Sequence, residues 1–163
     1  MSKPINTLQE NASNFFDKIQ AKYPNQMECK SGCAKCCYTD ISVFDVEANL
    51  IREWFNKLDE NFKKELKNIW SNKNNEGACS FLYEEKCTIY EVRPIICRTQ
   101  GAPLFLANEN VLDFCPLNFK DQDPPKEDWL NLERLNTLLS FAATSAKEDK
   151  RIRLKKLKTE LMA

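Results

Sequence analysis

Apolar side chains at Ile5, Leu8, Ala12, Phe15, Phe16 and Ile19 fall on one face of a 3.6-residue period and predict a helix over 5–22, ended by Pro24. Residues 25–39 carry four cysteines and little periodicity, the mark of an irregular loop. Ile41 and Val43 alternate with polar neighbours, which predicts a short strand. Asp45 is placed to cap a helix striped by Val46, Leu50, Trp54 and Leu58. A further helix over 60–70 would turn Phe62, Leu66, Ile69 and Trp70 inward, before a polar loop over 71–77. Residues 103–107 and 111–114 flank Asn108-Glu109-Asn110 and predict a β-hairpin with a three-residue turn. Pro124-Pro125 opens a last helix with Trp129, Leu132, Leu135, Leu138, Leu139 and Ala142 on its apolar face. Between Lys147 and Lys158 seven basic residues stand against two acidic ones, which reads as the solvated basic end of that helix.

The expected fold class is therefore mainly α: a small helical domain with an irregular cysteine-rich metal-binding region and a short β-hairpin. At 163 residues the chain is expected to form a single domain over 1–163, with the cysteine-bearing core at about 29–116. Basic and acidic residues are equal in number, which argues against a nucleic-acid partner. No stretch is apolar for long enough to predict a membrane span. The first residues lack a hydrophobic signal region, so the expected location is cytoplasmic, where thiols stay reduced.

Two counts decide the chemistry: eight cysteines and no histidine. Without an imidazole, neither serine–histidine nor cysteine–histidine nucleophile systems can be built from this chain. Three glycines are too few for a phosphate-cradling loop. The cysteines cluster. Cys29, Cys33, Cys36 and Cys37 form one group; Cys79, Cys87 and Cys97 form a second, and Cys115 follows at the end of the hairpin. Thiolates two or three residues apart can converge on one soft centre, and Gly32 is placed for a turn of positive φ just before Cys33. Zinc takes four sulfurs and so does a 4Fe–4S iron–sulfur cluster, so all eight cysteines are candidate ligands for one or two centres. In extended backbone the adjacent Cys36 and Cys37 would face opposite ways and serve different centres. Cys115-Pro116 matches the Cys-Pro that closes ferredoxin ligand runs and tips the reading towards iron–sulfur over zinc. The Cys29-x3-Cys33-x2-Cys36 spacing of radical S-adenosylmethionine enzymes is also present, but the chain is too short for their barrel.

The group Cys33-x-x-Cys36-Cys37, preceded by Cys29, and the segment Cys79-Ser80-Phe81-Leu82-Tyr83-Glu84-Glu85-Lys86-Cys87-Thr88-Ile89-Tyr90-Glu91-Val92-Arg93-Pro94-Ile95-Ile96-Cys97-Arg98 together resemble the YkgJ-like cysteine-cluster family, a CxxCxxCC zinc- or iron-chelating domain. The first half departs from that pattern in having three residues between Cys29 and Cys33. The resemblance implies a metal ion or cluster as partner and leaves the biochemical role open. Arg93 and Arg98 flank Cys97 and are candidates for offsetting the negative charge of a thiolate centre. Phe81 and Leu82 are expected to cover the site, and Ile89 and Tyr90 to lie in the core.

Three roles follow. The first is a cysteine-ligated protein for redox, electron-transfer or metal-handling work. The second is a small group-transfer enzyme using Cys36 or Cys37, with Lys35 lowering the thiol pKa. The third is a structural metal module that contacts a protein partner through its basic C-terminal helix.

Overall fold

The computed structural model describes residues 3–30, 32–72 and 77–163. In chain order the elements are α1 (Pro4–Lys22), β1 (Ser42–Phe44), α2 (Asp45–Lys57), α3 (Glu60–Ser71), β2 (Leu82–Tyr83), β3 (Lys86–Cys87), α4 (Ile95–Thr99), β4 (Leu104–Leu106), β5 (Val111–Asp113), β6 (Leu130–Asn131), α5 (Leu132–Ala146), β7 (Arg151–Arg153) and α6 (Leu154–Met162). The fold is mainly α with short strands, as the periodicity predicts. Of the polar loop predicted over 71–77, residues 73–76 lie outside the described residues. Among the described residues no helix is long and apolar enough to cross a membrane.

Two compact units are built from interleaved stretches of chain: Met1–Lys30 with Ile95–Ser145, and Ser31–Pro94 with Ala146–Ala163. In the first, α1 buries Ile5, Ala12 and Ile19 and packs against α4. Arg98 of α4 donates from its guanidinium to Ser13 Oγ (2.8 Å) and Gln9 Oε1 (3.3 Å) of α1. Past the end of α1, Ile19, Met27 and Phe119 form a small core, bordered by Phe15, Phe16, Tyr23, Cys29 and Phe114. Phe119 takes Tyr23 and Phe114 edge-on, at 5.4 and 5.2 Å between ring centres.

The predicted hairpin is present as β4 and β5, with Phe105 opposite Leu112. Its connection is one residue longer than expected, 107–110, with Asn110 at φ 54°. The Glu133 carboxylate accepts the Ala107 N–H at 2.8 Å and so fixes that turn from α5. The last long helix starts later than the double proline suggests. Lys126–Asp128 is a single 3₁₀ turn, and the following residues add β6 in parallel to β4. Trp129 therefore lies outside the helix, stacked on Phe105 at 5.2 Å. Leu138 is likewise not on the buried stripe, which runs through Leu135, Leu139, Ala142 and Ala143.

Asp128 is buried, and it accepts hydrogen bonds from Lys22 Nζ and Tyr23 Oη at the end of α1. Burial pushes the carboxyl pKa up, but the two donors outweigh it and hold the group below its ordinary value. A carboxyl with a depressed pKa stabilises the fold above its unfolded-state pKa and ceases to do so as pH falls through the folded-state value. Asp128→Asn is therefore expected to cost about 1 kcal/mol at neutral pH, Lys22 being half exposed and its charge screened. The gap from wild type should close in urea melts run below about pH 4.

The second unit has a larger core of Val43, Ala48, Ile51, Phe55, Leu66, Trp70, Phe81, Ile89, Ile152, Leu154, Leu157 and Leu161. The buried residues of α2 are Val46, which belongs to the predicted stripe, with Glu47, Ala48, Ile51 and Phe55, while Leu50 and Trp54 are half-buried. Asp45 is the first helical residue rather than the cap; Phe44 takes the cap position, and the Asp45 amide donates to Lys150 O at 2.7 Å. Asp59 caps α3, accepting from the Asn61 and Phe62 amides at 3.0 Å. Leu66 and Trp70 point inward as predicted, whereas Phe62 is 40% exposed.

The basic segment differs most from expectation. The chain leaves α5 at Ala146, pairs β7 antiparallel with β1 (Val43 opposite Ile152), and continues into α6. Ile152, Leu154, Leu157 and Leu161 are core residues, and the lysines and arginines between them form the wet face. Residues 147–163 are thus structural, not an appended basic helix end.

Candidate metal centre

Two chain segments bring four sulfurs together in the second unit. Lys35–Cys37 form a 3₁₀ turn, entered by a Cys37 N–H to Ala34 O bond of 2.8 Å. Gly32, at φ +89°, provides the positive-φ position expected before Cys33. From the other side comes the tight hairpin of β2 and β3, with Leu82 opposite Cys87 and a two-residue connection, Glu84-Glu85, at φ 47° and 59°. The Cys79 amide donates to Cys37 O at 2.6 Å, and Tyr38 Oη donates to Glu85 Oε1 at 2.9 Å. These two bonds pin the 3₁₀ turn to the hairpin.

The hairpin is itself fixed to the core. Phe81 is fully buried and meets the Trp70 ring edge-on at 5.2 Å, while Trp70 stacks on Phe55 at 5.4 Å. The Trp70 indole N–H donates to Thr88 Oγ1 at 2.8 Å, and Thr88 Oγ1 donates to Phe81 O at the same distance. Burying Phe81 contributes about 2–3 kcal/mol by the area it removes from water. Cys79 and Cys87 pack against this core, which places their thiols in a half-buried setting.

That setting governs the sulfur electrostatics. Burial raises the Cys87 thiol to about 11, against the pull of the Ile89 amide and of the nearby Arg93 guanidinium. Burial also raises Cys79, with Asp40 adding to it; the Phe81 and Leu82 amides and the Lys158 ammonium oppose the rise. In the 3₁₀ turn the neighbouring Cys37 side chain lowers the Cys36 thiol to about 6, against burial. Cys37 is raised, by its Cys36 neighbour first, then by burial and by the charges on Cys36, Cys87 and Cys79. Cys36 is exposed and Cys37 half-buried. The two adjacent cysteines share a 3₁₀ turn and not the extended strand that would split them. The cause of the low Cys36 pKa is Cys37, not Lys35.

This donor set fits a thiophilic ion. Burial on balance keeps the Cys79 and Cys87 thiols protonated, so a metal taken up there would displace their protons. Arg93 and Lys158 bring positive charge to the same thiols. Among the described residues no three Cys, Asp or Glu side chains are closed into a cage that could hold an ion as they stand. Cys36, Cys79 and Cys87 are close enough to act electrostatically on Cys37. Cys33 lies in the same unit, half-buried in the irregular segment.

The remaining three cysteines, Cys29, Cys97 and Cys115, lie in the first unit and are half-buried. Cys29 and Cys115 meet at Gly101. A β-carbon on Gly101 would stand 2.6 Å from Cys29 Sγ and 3.7 Å from Cys115 Cβ, so glycine is needed for space as well as for its φ of +95°. Cys97 sits in α4. Arg98, beside it, makes the bonds to α1 described above. Arg93 lies across the Tyr90 ring at 3.7 Å and donates to Tyr90 O at 2.9 Å. Tyr90 is 61% exposed, so it is not a core residue, while Ile89 is buried as expected. Phe81 and Leu82 are both buried next to the thiols.

Two residues near the sulfurs are not predicted there by the sequence, which marks Lys158 only as part of the basic run. Lys158 reaches Cys79 from α6, where it follows Leu157 of the apolar stripe. Asn118, buried beside Cys29, leaves no trace in the sequence at all.

A family model named CxxCxxCC, described as a putative zinc- or iron-chelating domain, matches residues 28–116, more than half of the chain. No curated protein and no solved structure matches the chain.

Proposed function

The chain belongs to the CxxCxxCC family, and from that premise we propose that it binds zinc through a four-thiolate centre made by Cys36, Cys37, Cys79 and Cys87. The junction of the 3₁₀ turn and the hairpin, pinned by the Cys79 N–H to Cys37 O bond of 2.6 Å, carries this reading. A small tetrahedron built on metal–sulfur bonds of about 2.3 Å can take two ligands from one tight turn and two from one hairpin. The 3₁₀ turn supplies two ligands and the hairpin two, Arg93 and Lys158 offset the excess negative charge, and buried Phe81 and Leu82 shield one side from water. Bound zinc would supply a redox-inert cross-link between the two segments. Cys29, Cys97 and Cys115 are proposed as ligands belonging to the first unit. The role is metal handling or the holding of a fold, with the exposed Cys36 as the sulfur open to exchange.

The iron–sulfur version, with an electron-transfer or redox-sensing role, has Cys115-Pro116 in its favour. Anaerobic purification followed by elemental analysis and visible spectroscopy separates the two. The proposal expects a colourless protein with stoichiometric zinc. Stoichiometric iron with sulfur-to-iron absorption would select the cluster, and a chain carrying neither element would overturn both.

A further inference from the structure

Asn118 is 1% exposed, and both polar atoms of its side chain have partners. Nδ2 donates one hydrogen to Gly101 O at 2.8 Å and the other to Cys29 Sγ at 3.3 Å. Oδ1 accepts the Glu28 N–H at 2.8 Å, and the Asn118 N–H donates to Cys115 O at 2.8 Å. The amide has only one workable orientation: turned over, it would set its oxygen against a carbonyl and its NH₂ against an N–H. The donor on the sulfur is therefore fixed by two backbone groups that have no other reason to be near a thiol. Holding Glu28 and Gly101 needs one hydrogen of that NH₂; the second is spent on Cys29.

We propose that Asn118 is a positioning residue for metal binding, holding the Cys29 sulfur in place beside Gly101 and Cys115. The inference rests on the reading of Cys29 as a metal ligand, and it extends the site beyond the residues that the family model matches, which end at 116. An amide N–H aimed at a ligand sulfur stabilises the thiolate and fixes its direction; losing such a contact typically costs about 10–100-fold in metal affinity.

The test is site-resolved alkylation of the full-length protein with and without zinc, read cysteine by cysteine by peptide mass spectrometry, in wild type and in Asn118→Ser. The expected result is that zinc protects Cys29 in wild type, that Asn118→Ser lowers this protection about 10-fold or more, and that Cys79 and Cys87 stay protected in both. Asn118→Thr serves if the serine variant does not fold. Combining either variant with Cys29→Ser should produce no further change in zinc retention, which a purely structural role would not predict. Unchanged protection of Cys29 in a folded Asn118 variant overturns the inference alone. Equal alkylation of wild-type Cys29 with and without zinc overturns the reading on which it rests.

Discussion

Cys87→Ser is expected to empty the centre in the second unit. Removing one of four thiolates forfeits roughly a quarter of the about 10–16 kcal/mol typical of structural zinc, a loss of some 10²–10³-fold or more in affinity. The effect should spread into the fold, because Cys87 packs against the main core and its neighbour Thr88 joins Trp70 to Phe81. Trp70 is buried in that contact, so its fluorescence should respond when zinc is stripped from wild type and should no longer respond in the variant. Unaltered zinc affinity in Cys87→Ser would remove the hairpin from the centre.

Gly101→Ala should be the most damaging single methyl in the first unit. The new β-carbon would sit 2.6 Å from Cys29 Sγ and 3.2 Å from Asn118 Nδ2, and the backbone there has φ +95°. A left-handed backbone costs a residue with a β-carbon about 1–2 kcal/mol, and overpacking adds about 1–3 kcal/mol. Denaturant melts should therefore show a loss of about 2–5 kcal/mol. Zinc protection of Cys29 should fall with it, since the sulfur has to move. A variant with wild-type stability would show that the Gly101 contact carries no weight.

Much of this was legible in the sequence where the signal is local. The α1 stripe, the β4–β5 hairpin and the two cysteine groups are read from residues within a few positions of one another. Elements whose partners are far away in the chain were not legible. In Arg151-Ile152-Arg153 a single isoleucine between two arginines gives no periodicity, and the segment becomes a strand only because β1, more than a hundred residues earlier, offers it an edge. Phe62 and Leu138 carry the right spacing yet lie outside the buried faces, since spacing alone does not say which side of a helix meets its neighbour.

The same limit applies to the site. The cysteines announce a soft metal by number and grouping, but the sequence does not signal that Cys36 and Cys37 lie in a 3₁₀ turn rather than an extended strand. The sequence marks Arg93 as a charge flanking Cys97, and the structure brings it near the Cys87 thiol. Lys158 and Asn118 were not legible as neighbours of a thiol, since each reaches its cysteine only through the tertiary fold.

X-ray absorption at the metal edge of the natively purified, full-length chain tests the central claim most directly. The account predicts zinc with an all-sulfur shell at about 2.3 Å, because the chain has no histidine to offer and four thiols are gathered in one unit. A shell dominated by oxygen or nitrogen would contradict it.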